Sequence, residues 1–302
     1  MKVKDGIIGL VVGDALGVPV EFVSRHMLEK NPVFTMIGGG IHNQPPGTWS
    51  DDTSMTIATM TSIINKKSID YTDIMDEFIE WFRNDKYTQD ELFDIGNGTL
   101  EALERYESGI PAVRCGPAGE RKNGNGSLMR ILPLAYIDGI DYETVENLSC
   151  LTHAHKRSRI ACALYVEIAK SIINKDDLTI REHVKNACAE ITDHYKDNEE
   201  LAHFKRIFDD DFSSGVSSKG YVVSTLEAAI YCLESTSNYR DAVLKAVNLG
   251  EDSDTVGAVC GGLAGIYYGF DDIPIDWIGK IRKVEEIVEL CEKYEVVCDE
   301  YL

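Results

Sequence analysis

Apolar residues three and four positions apart recur through most of this chain, while apolar–polar alternation is scarce. That periodicity predicts an all-α protein. Residues 71–84 read as an amphipathic helix with Ile74, Phe78, Trp81 and Phe82 inward. Further helices are predicted over 142–151, 157–174, 179–196 and 222–236. Residues 239–249 continue the pattern, and a tail at about 275–297 closes the bundle. Residues 2–12 form a short apolar helix. Thr99 is placed to cap a helix running through Tyr106, and Met129–Ala135 reads as a buried helix interrupted at Pro133. Three stretches read as irregular: 22–50, 109–126 and 197–220, the last as a polar surface loop.

The segment Leu249–Gly269 departs from ordinary helix composition. Val256, Val259, Leu263 and Ile266 keep helical spacing, yet Gly257, Gly261, Gly265 and Gly269 recur every four residues and fall on one helix face. A helical glycine costs about 1 kcal/mol against alanine, so the stripe implies close approach by another helix. Gly9, Gly13 and Gly17 show the same spacing. Docking the two glycine faces would bring Asp14 and Glu21 towards Asp252 and Asp254.

Composition narrows the class. The 302 residues include 51 acids and 30 bases, a formal charge of −21. Such a surface repels polyanions, which argues against nucleic acid as the main partner. No apolar stretch reaches membrane-spanning length. Eight scattered cysteines without a CxxC pair read as reduced core residues. With no signal peptide in the sequence, the expected location is the cytoplasm. Neither a repeat nor a linker is visible. One all-α domain over residues 1–302, as a monomer, is the simplest organisation.

Two acid-rich helix starts carry the candidate chemistry. Ser50-Asp51-Asp52 precedes one apolar helix and Asp252-Ser253-Asp254-Thr255 another, some 200 residues on. Ser-Asp-Asp is also an ordinary capped helix start. Taken together, four carboxylates and neighbouring hydroxyls form an all-oxygen set suited to hard divalent cations. Neither cluster holds histidine or cysteine, which disfavours zinc. No glutamate closes a 12-residue loop after Asp252, which excludes an EF-hand. Asn123-Gly124-Asn125-Gly126 suits a tight backbone nest for an anion.

The motifs GDALGVPVE, GTWSDDTSM, GNGSLMRILPLA, LTHAH and GEDSDTVGAVCGGLAG stand in the order found in the ADP-ribosylglycohydrolases, and the chain resembles that family from about residue 6 to 269. The dinitrogenase-reductase-activating type is the most similar branch. The resemblance implies a compact helical domain around a dinuclear Mg²⁺ or Mn²⁺ centre. Its ligands would be Ser50, Asp51, Asp52, Asp252, Asp254 and Thr255, with Ser50 standing where relatives usually carry threonine. It also implies that Glu21 lies near the metals and that Glu21, or else Asp52, is the general base. Asn125, Gly126 and Ser127 would line the ADP-ribose site, and His153 would help hold the nucleotide. Lys122 departs from the branch, which has an acid there. The implied activity is removal of ADP-ribose from modified side chains, arginine foremost. Serine-linked or O-acetyl-ADP-ribose, another ribosyl adduct, or a non-catalytic ADP-ribose-binding or immunity role are the alternatives.

Overall fold

The computed structural model describes residues 2–174 and 177–301. Its α-helices run in the order α1 (Val3–Gly17), α2 (Arg25–Lys30), α3 (Asp51–Lys66), α4 (Tyr71–Asn84), α5 (Asn97–Glu107), α6 (Tyr142–Cys150) and α7 (Lys156–Asn174). There follow α8 (Ile180–His194), α9 (Lys205–Phe208), α10 (Val222–Glu234), α11 (Tyr239–Val247), α12 (Ser253–Tyr268), α13 (Ile275–Ile278) and α14 (Val284–Tyr301). Among the described residues there is no β-sheet, only two isolated bridges, Gly39 with Gln44 and Gly124 with Tyr221. Among the described residues no helix is long and apolar enough to cross a membrane. All eight cysteines are buried and free.

The central element is the α1–α12 pair. Both helices are buried on nearly every side, so neither shows the polar face of a surface helix. They cross at their glycines. A methyl group added at Gly13 would stand 2.0 Å from the carbonyl oxygen of Gly257, and one at Gly9 would stand 2.3 Å from that of Gly261. Backbone thus meets backbone, and buried hydroxyls tie the pair to its surroundings. Tyr239 donates to the Gly9 carbonyl at 2.7 Å, Tyr165 to that of Val259 at 3.0 Å. The glycine docking predicted from spacing is the observed one, with α1 extending to Gly17. Gly269 is the exception. It adopts φ 84° just beyond the last residue of α12, where it ends the helix instead of packing.

Helix α4 matches its predicted bounds, with Ile74, Met75, Phe78 and Trp81 buried and Phe82 half-buried. Several other expectations need correction. Residues 128–136 form two 3₁₀ helices, Leu128–Arg130 and Leu132–Tyr136, because Pro133 lacks an amide hydrogen to continue an α-helical ladder. Thr99 is no cap: α5 begins at Asn97 with Gly96 before it, and Thr99 lies buried in the first turn. The stretch 22–50 contains the short α2. Residues 197–220 carry a 3₁₀ helix, Glu199–Phe204, and α9, which bury Phe204 and Ile207.

Candidate metal centre and substrate cavity

Close helix crossing fixes where the acids go. Asp14, one turn before the end of α1, is fully buried. Its carboxylate accepts the Ser50 amide at 3.0 Å, the Thr53 amide at 3.1 Å and the Thr53 hydroxyl at 2.6 Å. It thereby satisfies first-turn donors of α3 and clamps α3 to α1. At the other glycine face, Ser253 donates to the Gly17 carbonyl at 2.9 Å, seating the N-terminus of α12 against the C-terminus of α1.

The two acid motifs meet at this junction. Ser50 donates to Asp52 Oδ2 at 3.1 Å and accepts the Asp52 amide at 3.3 Å, as an N-cap does. Thr255 donates to the same Oδ2 at 3.3 Å from α12. Asp52 Oδ1 is buried without a hydrogen-bond partner. The Asp252 carboxylate accepts Asn125 Nδ2 at 2.7 Å. Oxygens of Glu21, Asp252 and Asp254 lie within 4.8 Å of one another. Glu21 is brought there by backbone pairing, Phe22 N to Glu251 O at 2.6 Å and Glu251 N to Val23 O at 2.8 Å.

Burial of so many acids has a clear electrostatic signature. Burial, then the neighbouring acids, pushes the carboxyls of Asp51, Asp52 and Asp254 well above the usual range. Asp14 is raised to about 6, by burial against its hydrogen bonds. Glu21 is pushed up to about 9 by burial, then by Asp94, Asp252 and Asp14. Among the described residues, the basic side chain that contacts this group is His42, 2.5 Å from Glu21. Buried carboxylates without a compensating cation are unfavourable, and one of them presents an orphaned oxygen. The donor set, all carboxylate and hydroxyl oxygen, therefore fits hard divalent cations.

The cluster floors a cavity of about 700 Å³, within the range of small-molecule sites. Glu21, Asp51, Asp252 and Thr255 line it at the acidic end. Gly124, Asn125, Gly126 and His153 line another part, and Arg121, Lys122 and Lys219 the rest of the rim. His153 is buried under a glycine floor: a methyl group at Gly98 or Gly126 would come within 2.7 Å of its ring. Burial, then Arg130, lowers this imidazole to about 3, so it is neutral, and its Nδ1 lies 3.0 Å from the Thr152 hydroxyl. Ser127 faces away from the cavity, its hydroxyl 2.9 Å from that of Ser149. Lys122 pairs with Glu101 at 2.6 Å.

Sequence reasoning missed three contributors. Asp94 lines the cavity, and burial raises its carboxyl against the opposing effect of His42. Its position immediately before the Ile95-Gly96-Asn97-Gly98 helix start was the available signal. His42, a lone histidine between a glycine run and Pro45-Pro46, offered less. The start of α5 itself, Gly96 to Thr99, lines the cavity, with no side-chain cap at Gly96.

Comparison with known proteins places the chain in a family. The profile of the ADP-ribosylglycohydrolase family matches residues 1–301. An ADP-ribosylarginine hydrolase, Tri1, of Serratia proteamaculans is 32% identical over 303 residues, covering 97% of this chain and 78% of its own. The ADP-ribosyl-[dinitrogen reductase] glycohydrolase of Rhodospirillum rubrum is 32% identical, covering 92% and 90%. A solved ADP-ribosylglycohydrolase-related protein complex superposes with a TM-score of 0.83 at 29% identity, covering 98% of each chain.

Proposed function

The chain belongs to the ADP-ribosylglycohydrolase family and is a glycosidase, and from that premise we propose that it releases ADP-ribose from arginine side chains, acting as one catalytic domain with two divalent cations. The observation that carries the arginine assignment is Asp94. Its carboxylate lines the acidic end of the cavity near Asp51, and among the described residues no lysine or arginine pairs with it. A guanidinium is the leaving group that a carboxylate not committed to lysine or arginine recognises through charge-assisted, two-pronged hydrogen bonds. The name of the Serratia relative, an ADP-ribosylarginine hydrolase, supports the same reading.

Ser50, Asp51, Asp52, Asp252, Asp254 and Thr255 would hold Mg²⁺ or Mn²⁺, which when bound neutralises the buried acids and supplies Lewis acidity at the ribose. The remaining steps belong to the chain. The amides at the start of α5 and the Asn123–Gly126 segment receive the pyrophosphate, where a helix N-terminus offsets the acidic surroundings. The neutral His153 beneath them leaves that surface uncharged. As the anomeric C–N bond breaks, positive charge grows on the ribose and the surrounding carboxylates stabilise it. Glu21 takes a proton from the attacking water as the C–O bond forms. That proton returns to the departing guanidine, which leaves as guanidinium beside Asp94.

The decisive experiment presents arginine-linked, serine-linked and O-acetyl-ADP-ribose to the purified protein with Mg²⁺ or Mn²⁺. Preferential release from arginine is expected. Asp94→Ala should lower kcat/KM for the arginine substrate about 10–100-fold, the equivalent of one charge-assisted hydrogen bond. Calorimetric ADP-ribose binding without turnover of any substrate would instead assign a binding protein.

A further inference from the structure

Glu21 reaches the cavity from the loop that follows α1, and one side chain meets it. His42 Nε2 stands 2.5 Å from Glu21 Oε2. The charged groups that face Glu21 from the other packed elements are Asp14 of α1, Asp51 of α3, Asp94 before α5, Asp252 before α12 and Asp254 of α12, all of them acids. The imidazole is itself confined. Its ring centroid lies 5.0 Å from that of Phe93 and 6.3 Å from that of Phe22, and its side chain is only 12% exposed. An oxygen of Asp94 and a nitrogen of His42 fall within 4.8 Å of the Glu21 carboxylate, so the imidazole sits among two acids.

The backbone is built to deliver it. Gly39 and Gln44 exchange hydrogen bonds of 2.7 and 3.2 Å, closing a tight turn around residues 40–43. Gly40 at φ 71° rests directly on Pro19, two residues before Glu21, where a side chain would collide with the Pro19 carbonyl. The turn is thereby docked on the segment that carries the acid it serves.

We infer that His42 is a positioning residue that holds the Glu21 carboxyl group at the reacting centre. It is not among the residues that line the cavity or among the six proposed to hold metal, and it acts through Glu21. The inference rests on Glu21 being the general base of the proposed reaction. Displacement of a base by about 1 Å can cost roughly 10²-fold in rate without changing substrate affinity.

The test has two arms. With ADP-ribosylated arginine peptide and Mg²⁺, His42→Leu should lower kcat about 10–100-fold, with KM and the melting temperature little changed. His42→Gln, whose amide nitrogen can take the place of Nε2, should restore most of the loss. A His42→Leu enzyme with kcat within twofold of the parent overturns the inference. In the second arm, imidazole NMR without substrate should show a slowly exchanging His42 proton that is absent in His42→Gln and displaced in Glu21→Gln. A His42 resonance indifferent to Glu21→Gln overturns the contact, whatever the protein hydrolyses. If that resonance responds while the parent protein turns over no ADP-ribosyl linkage, the reading of the reaction fails and the contact stands.

Discussion

Asp52→Asn is expected to abolish turnover while stabilising the metal-free protein. The two effects share one cause. Asp52 is fully buried, receives hydroxyl donors from Ser50 and Thr255, and keeps Oδ1 without a partner. On the proposed reading that oxygen would be a cation ligand, and losing it would forfeit several kcal/mol of charge stabilisation, or at least about 10²-fold in kcat. Without cations the carboxylate is a buried charge among like charges, and an amide of the same shape relieves the repulsion. A gain on the order of 1 kcal/mol, or about 2 °C in melting temperature, is expected in EDTA. Mg²⁺ or Mn²⁺ should raise the melting temperature of the parent, by mass action, and do so far less in the variant. An EDTA-treated variant less stable than the parent, or an unchanged metal-induced shift, would show that Asp52 is only a helix-start residue.

The same cluster gives the metal-free protein an unusual pH dependence. A group whose folded pKa is raised contributes stability that is complete below its unfolded value and is lost as pH rises through the folded one. Asp14 at about 6 and Glu21 at about 9 place that loss between roughly pH 4 and 9. Thermal melts in EDTA should therefore fall across this window. Saturating metal should flatten the fall, because cations displace the bound protons.

Gly13→Ala should be among the most damaging small substitutions outside the acids. At an ordinary helical site the change would gain up to about 1 kcal/mol. Here the new methyl would lie 2.0 Å from the Gly257 carbonyl oxygen and 2.5 Å from its carbon. Both are backbone, so no rotamer change relieves the clash and the helices must separate. Overpacking of this kind costs about 3 kcal/mol or more, measurable by urea denaturation. Activity should fall with it, because α1 carries Asp14 and leads to Glu21 while α12 carries Asp254 and Thr255. A variant as stable as the parent would show that the helices tolerate a wider spacing.

Much of this was legible in the chain itself. Spacing alone paired Gly9, Gly13 and Gly17 with Gly257, Gly261 and Gly265, since period-four glycine has few uses besides close helix contact. The acid pairs at 51–52 and 252–254 announced themselves as helix starts. What stayed hidden was set by non-local geometry. Asp94 stands three residues before a helix start that reads as turn punctuation, and only the folded chain brings it to the cavity. His42 lies in an irregular loop, where no periodicity states what a side chain will face. Ser127 belongs to a recognisable motif, yet its side chain points into the packing around Ser149, a direction that composition does not encode. Pro133 was visible, but whether it interrupts a helix or begins a 3₁₀ turn depends on the carbonyls around it.

The glycine crossing also bears on how the chain is made. Helix α1 is apolar over most of its surface, and its partner surface on α12 is more than 240 residues away in sequence. At about 5–20 residues per second of synthesis, α1 waits on the order of 10–50 s before that surface exists. Through that interval one of the most hydrophobic segments of the molecule has no native cover. The N-terminal helix is thus the natural point of capture for a ribosome-associated chaperone, and the first place where slow translation would seed aggregation.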